Sequence, residues 1–296
     1  IDTLRKLSVM GVGGISRERA SFSIRDINAS QYGRICPVRS PEGPNIGLVT
    51  FLTLYAKVDD YGFLLTPYKK LEKKNGKVKV SSEILYLPAD DERNYKITHA
   101  MIADEDGNIS SERVPIRYKG EFLESFAVEV DLIDIAPRQV VGTAAALIPF
   151  LANDDGIRAL MGSNMQAQAV PLVAPQSPVV GTGVEDLISQ AMGWSVLARH
   201  SGKATFVDGD KVIVEVDNLS DLKQSLEEEN IKIHGGLETY LLTKFKKTNP
   251  NGSCYNQHPI VKVGQTIKAG QIIIDGPASQ NGELALGANM TIAYMH

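Results

Sequence analysis

Cysteine is almost missing from this chain, with 2 in 296 residues, Cys36 and Cys254. So distant a pair gives neither a metal spacing nor a disulfide framework, and suits a reducing compartment. Histidine is equally sparse: His99, His200, His234, His258 and His296 are scattered, with none paired four residues apart. That pattern excludes a helical zinc motif and reads as surface or core histidine before ligand or base. No Ser/His/Asp or Cys/His arrangement can be argued from spacing, so no self-contained active site is expected. Long apolar runs are absent, as is a basic start followed by an apolar stretch, so neither a membrane span nor a signal segment is read. No internal repeat or low-complexity tract occurs. Positive charge is not in excess either, because the net charge is −4. This excludes a free-standing nucleic-acid binder held by bulk charge.

What is present is ordinary soluble composition, 43% hydrophobic and 22% charged, in a chain long enough for two or three domains. Its opening at Ile1 and its end just after an apolar run are read as cuts in a longer polypeptide. Charge is uneven along it. Residues 1–39 carry Arg5, Lys6, Arg17, Arg19, Arg25, Arg34 and Arg39 against Asp2, Glu18 and Asp26, a local excess of four positive charges. One polyanion-facing end is the implication. Within it Gly11-Val12-Gly13-Gly14 lacks the Gly-Lys-Ser/Thr of a phosphate loop and is read as a Gly loop feeding Arg17 and Arg19. The stretch YGRICPVRSPEGPNIGLV, residues 32–49, mixes prolines that fix φ with glycines that admit positive φ. It is a stiff, half-apolar, charged loop, either a structural corner or a holder of side chains for a ligand. A strand over 48–56 follows it.

From Gly62 to Asp134 short β-like runs (78–80, 84–87, 114–118, 126–130) alternate with charged turns. Lys73-Lys74-Asn75-Gly76 and Asp104-Glu105-Asp106-Gly107 are hairpin signals. A calcium site at Asp104 and Asp106 is rejected because the bidentate Glu is not in place. Residues 137–174 are the clearest helical stretch, with Pro149 ending a first apolar helix. Asn153 or Asp154 then caps a second helix running to about Ala169. On that second helix Arg158, Met161 and Met165 share a face, and Asn164 and Gln168 stand one turn apart. The face is neither a Leu/Ile/Val core stripe nor a Lys/Glu solvent stripe. Beyond Pro178, β-like runs return at 204–207, 211–216, 239–245, 260–263, 271–274 and 291–294. Gly264, Gly270 and Gly276 punctuate VKVGQTIKAGQIIIDGP as tight turns of a small barrel-like sheet.

YGRICPVRSPEGPNIGL, preceded by LSVMGVGGISRERASFSIRD, closely resembles the fork region of bacterial RNA polymerase β subunits. RQVVGTAAALIPFLANDDGIRALMGSNMQAQAVPLV resembles the start of their hybrid-binding region, and YGFLLTPYKK the opening of their external domain. The last part, TKFKKTNPNGSCYNQHPIVKVGQTIKAGQIIIDGP to GELALGANMTIAYM, is similar to their barrel-sandwich part. The blocks are collinear over essentially the whole chain, weakest at 70–130 and 200–240. The resemblance implies an α+β, β-rich multidomain fold. Its parts would be a fork region over 1–60, a small β-rich external domain over 61–135, and a helical segment leading into a barrel-sandwich hybrid domain over 136–296.

It also implies a function. Such subunits form one side of a cleft in which nucleotides are added to the RNA 3′ end by phosphoryl transfer with magnesium. The metal is held mainly by the β′ subunit, so no metal ligand and no bound cofactor is expected here. Arg158 matches the arginine reaching the incoming triphosphate. Arg17 and Arg19 match fork arginines near the downstream DNA, Glu42 and Asn45 line the RNA channel, and Asn164 and Gln168 line the RNA 3′-end path. Thr3, Lys6, Ser8, Met10, Pro41, Glu42, Asn45 and Val49 occupy rifamycin-pocket positions. Partners implied are β′, α and σ subunits, DNA template, RNA transcript and nucleoside triphosphates, in a bacterial cytoplasm at the nucleoid and away from membrane. The isolated piece is expected to be inactive.

The chain departs from that pattern in places. Thr3 and Lys6 stand where the family usually has His and Arg. Val12 replaces Pro, Arg39-Ser40 replaces Glu-Thr, and Ala167 replaces Arg. Weak rifamycin binding is the expectation, since Thr and Lys do not restore a ring and a forked donor. Two other readings compete with this one. One is a non-catalytic β-like nucleic-acid scaffold, against which the presence of Arg158 speaks. The other is a biotinyl- or lipoyl-type carrier, for which Lys268 lacks the flanking pattern.

Overall fold

The computed structural model describes residues 1–74, 77–218, 230–247 and 254–295. The chain divides into a unit of residues 2–167 and a second of residues 168–296. β-structure dominates both, and helices are short and few among the described residues, as the α+β, β-rich reading expects.

In the first unit one sheet runs in the order 108–109, 77–87, 64–74, 132–134, 97–98, 113–118, 121–126. All its pairings are antiparallel except that of 132–134 with 97–98. Strands Leu64–Lys74 and Lys77–Leu87 form its longest pair, with Lys74 opposite Lys77. The Asn75-Gly76 turn expected between them lies outside the described residues. A second hairpin, joining Arg113–Tyr118 to Glu121–Phe126, has Lys119 and Gly120 at φ 52° and 85°. Two positive φ values make the turn that matches strand twist. Lys-Gly hid it in the sequence, since Asn or Asp normally fills that first place. The apolar face packs Val78, Val114, Ile116, Val130 and Ile133 together.

Other expectations over this region need correction. The run 126–130 is not a strand, because Phe126 ends one and Ala127–Glu129 forms a 3₁₀ turn. Asp104–Gly107 does turn, through the Gly107 N–H to the Asp104 carbonyl at 2.9 Å. It leads, however, to a strand that pairs with 78–79 and not with its predecessor. The first apolar helix is a single turn, Thr143–Ala146, and Phe150 after Pro149 takes a left-handed φ of 56°. The second helix is Gly156–Gln166, capped by Asp155, whose carboxylate accepts from the Ile157 N–H at 3.2 Å. It is shorter at both ends than the apolar pattern indicated.

In the second unit a five-stranded antiparallel sheet runs 231–234, 237–241, 211–216, 202–207, 266–267, beside a three-stranded one of 196–197, 272–275 and 258–259. Ala204, Val212, Val214, Ile267, Ile273 and Ile274, all fully buried, form its core. The expected strand over 239–245 stops at Leu241, and 260–263 and 291–294 are not strands. Gly264 and Gly270 do take positive φ. Gly276 does not; it is glycine because a Cβ there would lie 2.9 Å from the Trp194 Cβ.

Candidate nucleic-acid and nucleotide interface

Most of the residues singled out in the sequence lie in the first unit, on three segments: the start of the chain, the loop 32–49, and the helix Gly156–Gln166. The loop's stiffness has identifiable fastenings. Tyr32 and Arg34 anchor its base. Arg34, 2% exposed, pairs with Glu92 at 2.6 Å and donates to the Leu64 and Leu87 carbonyls at 3.0 and 2.8 Å. Glu92 also pairs with Arg117, whose guanidinium lies 3.7 Å from the Tyr32 ring centroid. Tyr32 donates to Asp134 at 2.7 Å. Burial pushes the Asp134 carboxyl above its ordinary range against the opposing Tyr32 bond and Arg117 charge. Burial and then Asp134 push the Tyr32 phenol up. Gly33 cannot be replaced without movement, since it has φ 66° and a Cβ would meet Thr66 Oγ1 at 2.4 Å.

Further along, Arg39 is buried under the loop. It pairs with Asp2 at 2.8 Å, and its guanidinium lies 4.4 Å from the Phe51 ring centroid. The other Asp2 oxygen accepts from Thr143, at the start of the single-turn helix. Ser40 accepts from the Gly47 N–H at 3.0 Å and donates to the Val49 carbonyl at 3.1 Å, closing the loop on itself. At the tip Arg25 donates to the Pro44 and Ile46 carbonyls at 2.8 Å each, and Arg17 donates to Asn45 at 2.5 Å. Prolines therefore supply only part of the rigidity. Side chains of arginine and serine supply the rest, and composition gave no sign of which ones.

The helix Gly156–Gln166 is seated by its buried Ala159 and Ser163, four residues apart. Asn164 donates to the Ser40 carbonyl at 3.0 Å, so it bolts helix to loop. Arg158 lies on a different face, exposed, with its guanidinium 3.6 Å from the Met161 sulfur. Gln168 lies past the helix end, in the turn that follows, so it is not on the helix that carries Asn164.

Glu42 and Arg19 are exposed, and Asn45 is half-buried. Strand Lys6–Ser8 pairs with Val49–Phe51, setting Lys6 opposite Phe51 and Ser8 opposite Val49. Thr3, Lys6 and Ser8 are exposed, Met10 and Pro41 half-buried, and Val49 buried with 4% of its surface left. Sequence reasoning missed Asp2, Arg25 and Thr143, and took Arg39 for one more loop charge. Only spatial proximity reveals these partners, because Asp2 and Thr143 are 141 residues apart.

Family comparison follows the same segments. The model for RNA polymerase Rpb2 domain 3 matches residues 1–58, that for the β-subunit external 1 domain residues 68–136, and that for Rpb2 domain 6 residues 197–296. Similar over 98% of this chain are proteins named DNA-directed RNA polymerase subunit beta. That of Caldicellulosiruptor bescii is 48% identical, that of Fervidobacterium nodosum 47% and that of Lactococcus lactis 43%. The chain belongs to the RNA polymerase β-subunit family. It spans 22%, 24% and 23% of the length of those β subunits. Among the described residues no group of three His, Cys, Asp or Glu side chains is arranged to hold a metal, and no helix is long and apolar enough to cross a membrane.

Proposed function

We propose that this chain lines the active cleft of a DNA-directed RNA polymerase and positions the incoming nucleotide, the RNA 3′ end and the downstream DNA. The observation that carries this reading is Arg158. It is an exposed guanidinium on a helix held from the opposite side by buried Ala159 and Ser163 and by the Asn164 bolt. A planar, always-charged donor presented by a seated helix suits a triphosphate, and positioning of this kind is the usual protein share of phosphoryl transfer. Glu42 and Asn45 face the RNA channel from the braced loop. Arg17 and Arg19 meet backbone phosphates where DNA strands separate. Thr3, Lys6, Ser8, Met10, Pro41 and Val49 belong to the same wall as an inhibitor-binding surface, with Val49 acting from beneath. Magnesium would supply the Lewis acid of the reaction, held mainly by carboxylates of the β′ subunit. α and σ complete the assembly.

The test is Arg158→Ala in the full-length assembled enzyme. Loss of a charged hydrogen bond to the triphosphate lowers kcat/KM for nucleotide by roughly 12- to 160-fold, about 1.5–3 kcal/mol of transition-state stabilisation, seen mainly as a raised apparent KM. An unchanged nucleotide dependence contradicts the role given to Arg158, whereas an assembled enzyme that adds no nucleotide even with Arg158 intact favours a non-catalytic scaffold.

A further inference from the structure

The large sheet of the first unit ends differently at its two edges. One edge is the two-residue strand Asn108–Ile109, too short to template another chain. The other is Glu121–Phe126, six residues whose register with 113–118 runs without a bulge. It contains no proline and no lysine, and none of its residues is buried. Bulges, prolines, lysines and shortness are the ordinary protections of a sheet edge, and this edge has none of them.

Its hydrogen-bond phase follows from the hairpin. Tyr118 and Glu121 flank a two-residue turn and so exchange both backbone bonds, as do Ile116 with Leu123 and Val114 with Ser125. Phe122, Glu124 and Phe126 therefore turn their N–H and C=O groups outward. Pro115, with no N–H to give, stands opposite Glu124, a place where this pair needs none. Among the described residues no strand pairs with 121–126 on that outer side. The side chains add a chemical preference. Phe122 is 72% exposed, Leu123 46% and Phe126 44%, and the strand's charges are the two carboxylates of Glu121 and Glu124.

We propose that strand Glu121–Phe126 is a docking edge that takes up an extended basic and apolar segment of another protein as an added β-strand. Backbone bonds from Phe122, Glu124 and Phe126 supply affinity. Glu124, between Phe122 and Phe126 on one face, selects a lysine or arginine flanked by apolar residues, and Glu121, beside Leu123 on the other face, selects a second cation. A second copy of the same edge is the wrong occupant, because it brings carboxylates of both copies onto one seam.

The test uses the full-length protein in its assembled complex and a fluorescein-labelled lysine–valine peptide, Val-Val-Lys-Val-Val-Lys, whose lysines are spaced as Glu124 and Glu121 are, read by anisotropy. A glutamate–valine peptide is the control. Glu124→Pro removes an outward donor but no bond to 113–118, and Glu121→Lys/Glu124→Lys reverses the charge without touching the backbone. The lysine–valine peptide should bind saturably, with each variant weakening it by about tenfold or more. The glutamate–valine peptide should not bind. Failure of the lysine–valine peptide to bind the parent protein, binding unaltered by both variants, or self-association abolished by Glu124→Pro would each overturn the proposal.

Discussion

Arg39 shows how much a single position can mislead when read from a string. It carries a charge in a loop rich in charges, yet only 6% of it is exposed. Its partners, Asp2 and Phe51, come from either side of the loop in sequence, and its Nε meets no acceptor among the described residues. A guanidinium held there is committed to the scaffold. Removing it leaves Asp2 the Thr143 hydroxyl and the more distant Arg5 charge, and loss of the directly paired guanidinium costs about 2 kcal/mol. Arg39→Ala should therefore lower the urea midpoint of the transition belonging to residues 2–167 by about 1 M, taking a slope of about 2 kcal/mol/M. Arg39→Glu, which restores the usual family residue without its surroundings, should lower it further through repulsion with Asp2. Equal midpoints for all three proteins would show that the pair contributes nothing.

Among the elements, short segments depend on polar fastenings more than on propensity. The helix Glu185–Ala191 in the second unit is an example that the sequence reading passed over. Glu185, 8% exposed, folds back to accept the N–H groups of Thr182, Gly183 and Val184 at 2.7, 2.8 and 3.0 Å. Burial alone would raise its carboxyl, but these bonds outweigh it and hold the group below the ordinary carboxylate range. A depressed folded-state value means stability that is complete above the unfolded value and is lost as pH falls through the folded one. Glu185→Gln should cost the second unit about 1–2 kcal/mol at neutral pH. The gap between parent and variant should close as pH falls below the ordinary carboxylate range, measured by denaturant titration at each pH. A gap that persists in acid contradicts the role of the charge. The same dependence explains which elements were legible. Strands 113–118 and 211–216 declare themselves by β-branched alternation. The extents of 239–245 and 260–263 did not, because glycine turns and side-chain bonds end the pairing where hydropathy continues.

At the scale of the whole molecule, long collinear blocks carried the family, and the fold class followed with it. What the sequence could not carry was the wiring of the site. It could not show that Asn164 faces the loop while Arg158 faces outward, that Arg17 rests against Asn45, or that Gln168 leaves the helix altogether. Each depends on contacts between residues far apart in the chain. The result is a first unit in which buried ion pairs at Arg34, Glu92 and Arg117 tie a β-rich domain to a braced loop. On that base a few exposed side chains are kept still. The most direct measurement puts residues 1–296 of this chain in place of the corresponding segment of the Caldicellulosiruptor bescii β subunit, 48% identical, and assays RNA synthesis by the reassembled polymerase. Template-directed elongation by the chimera, with a nucleotide requirement that rises on Arg158→Ala, is the expected result. A chimera that assembles and binds its template but adds no nucleotide would contradict the account.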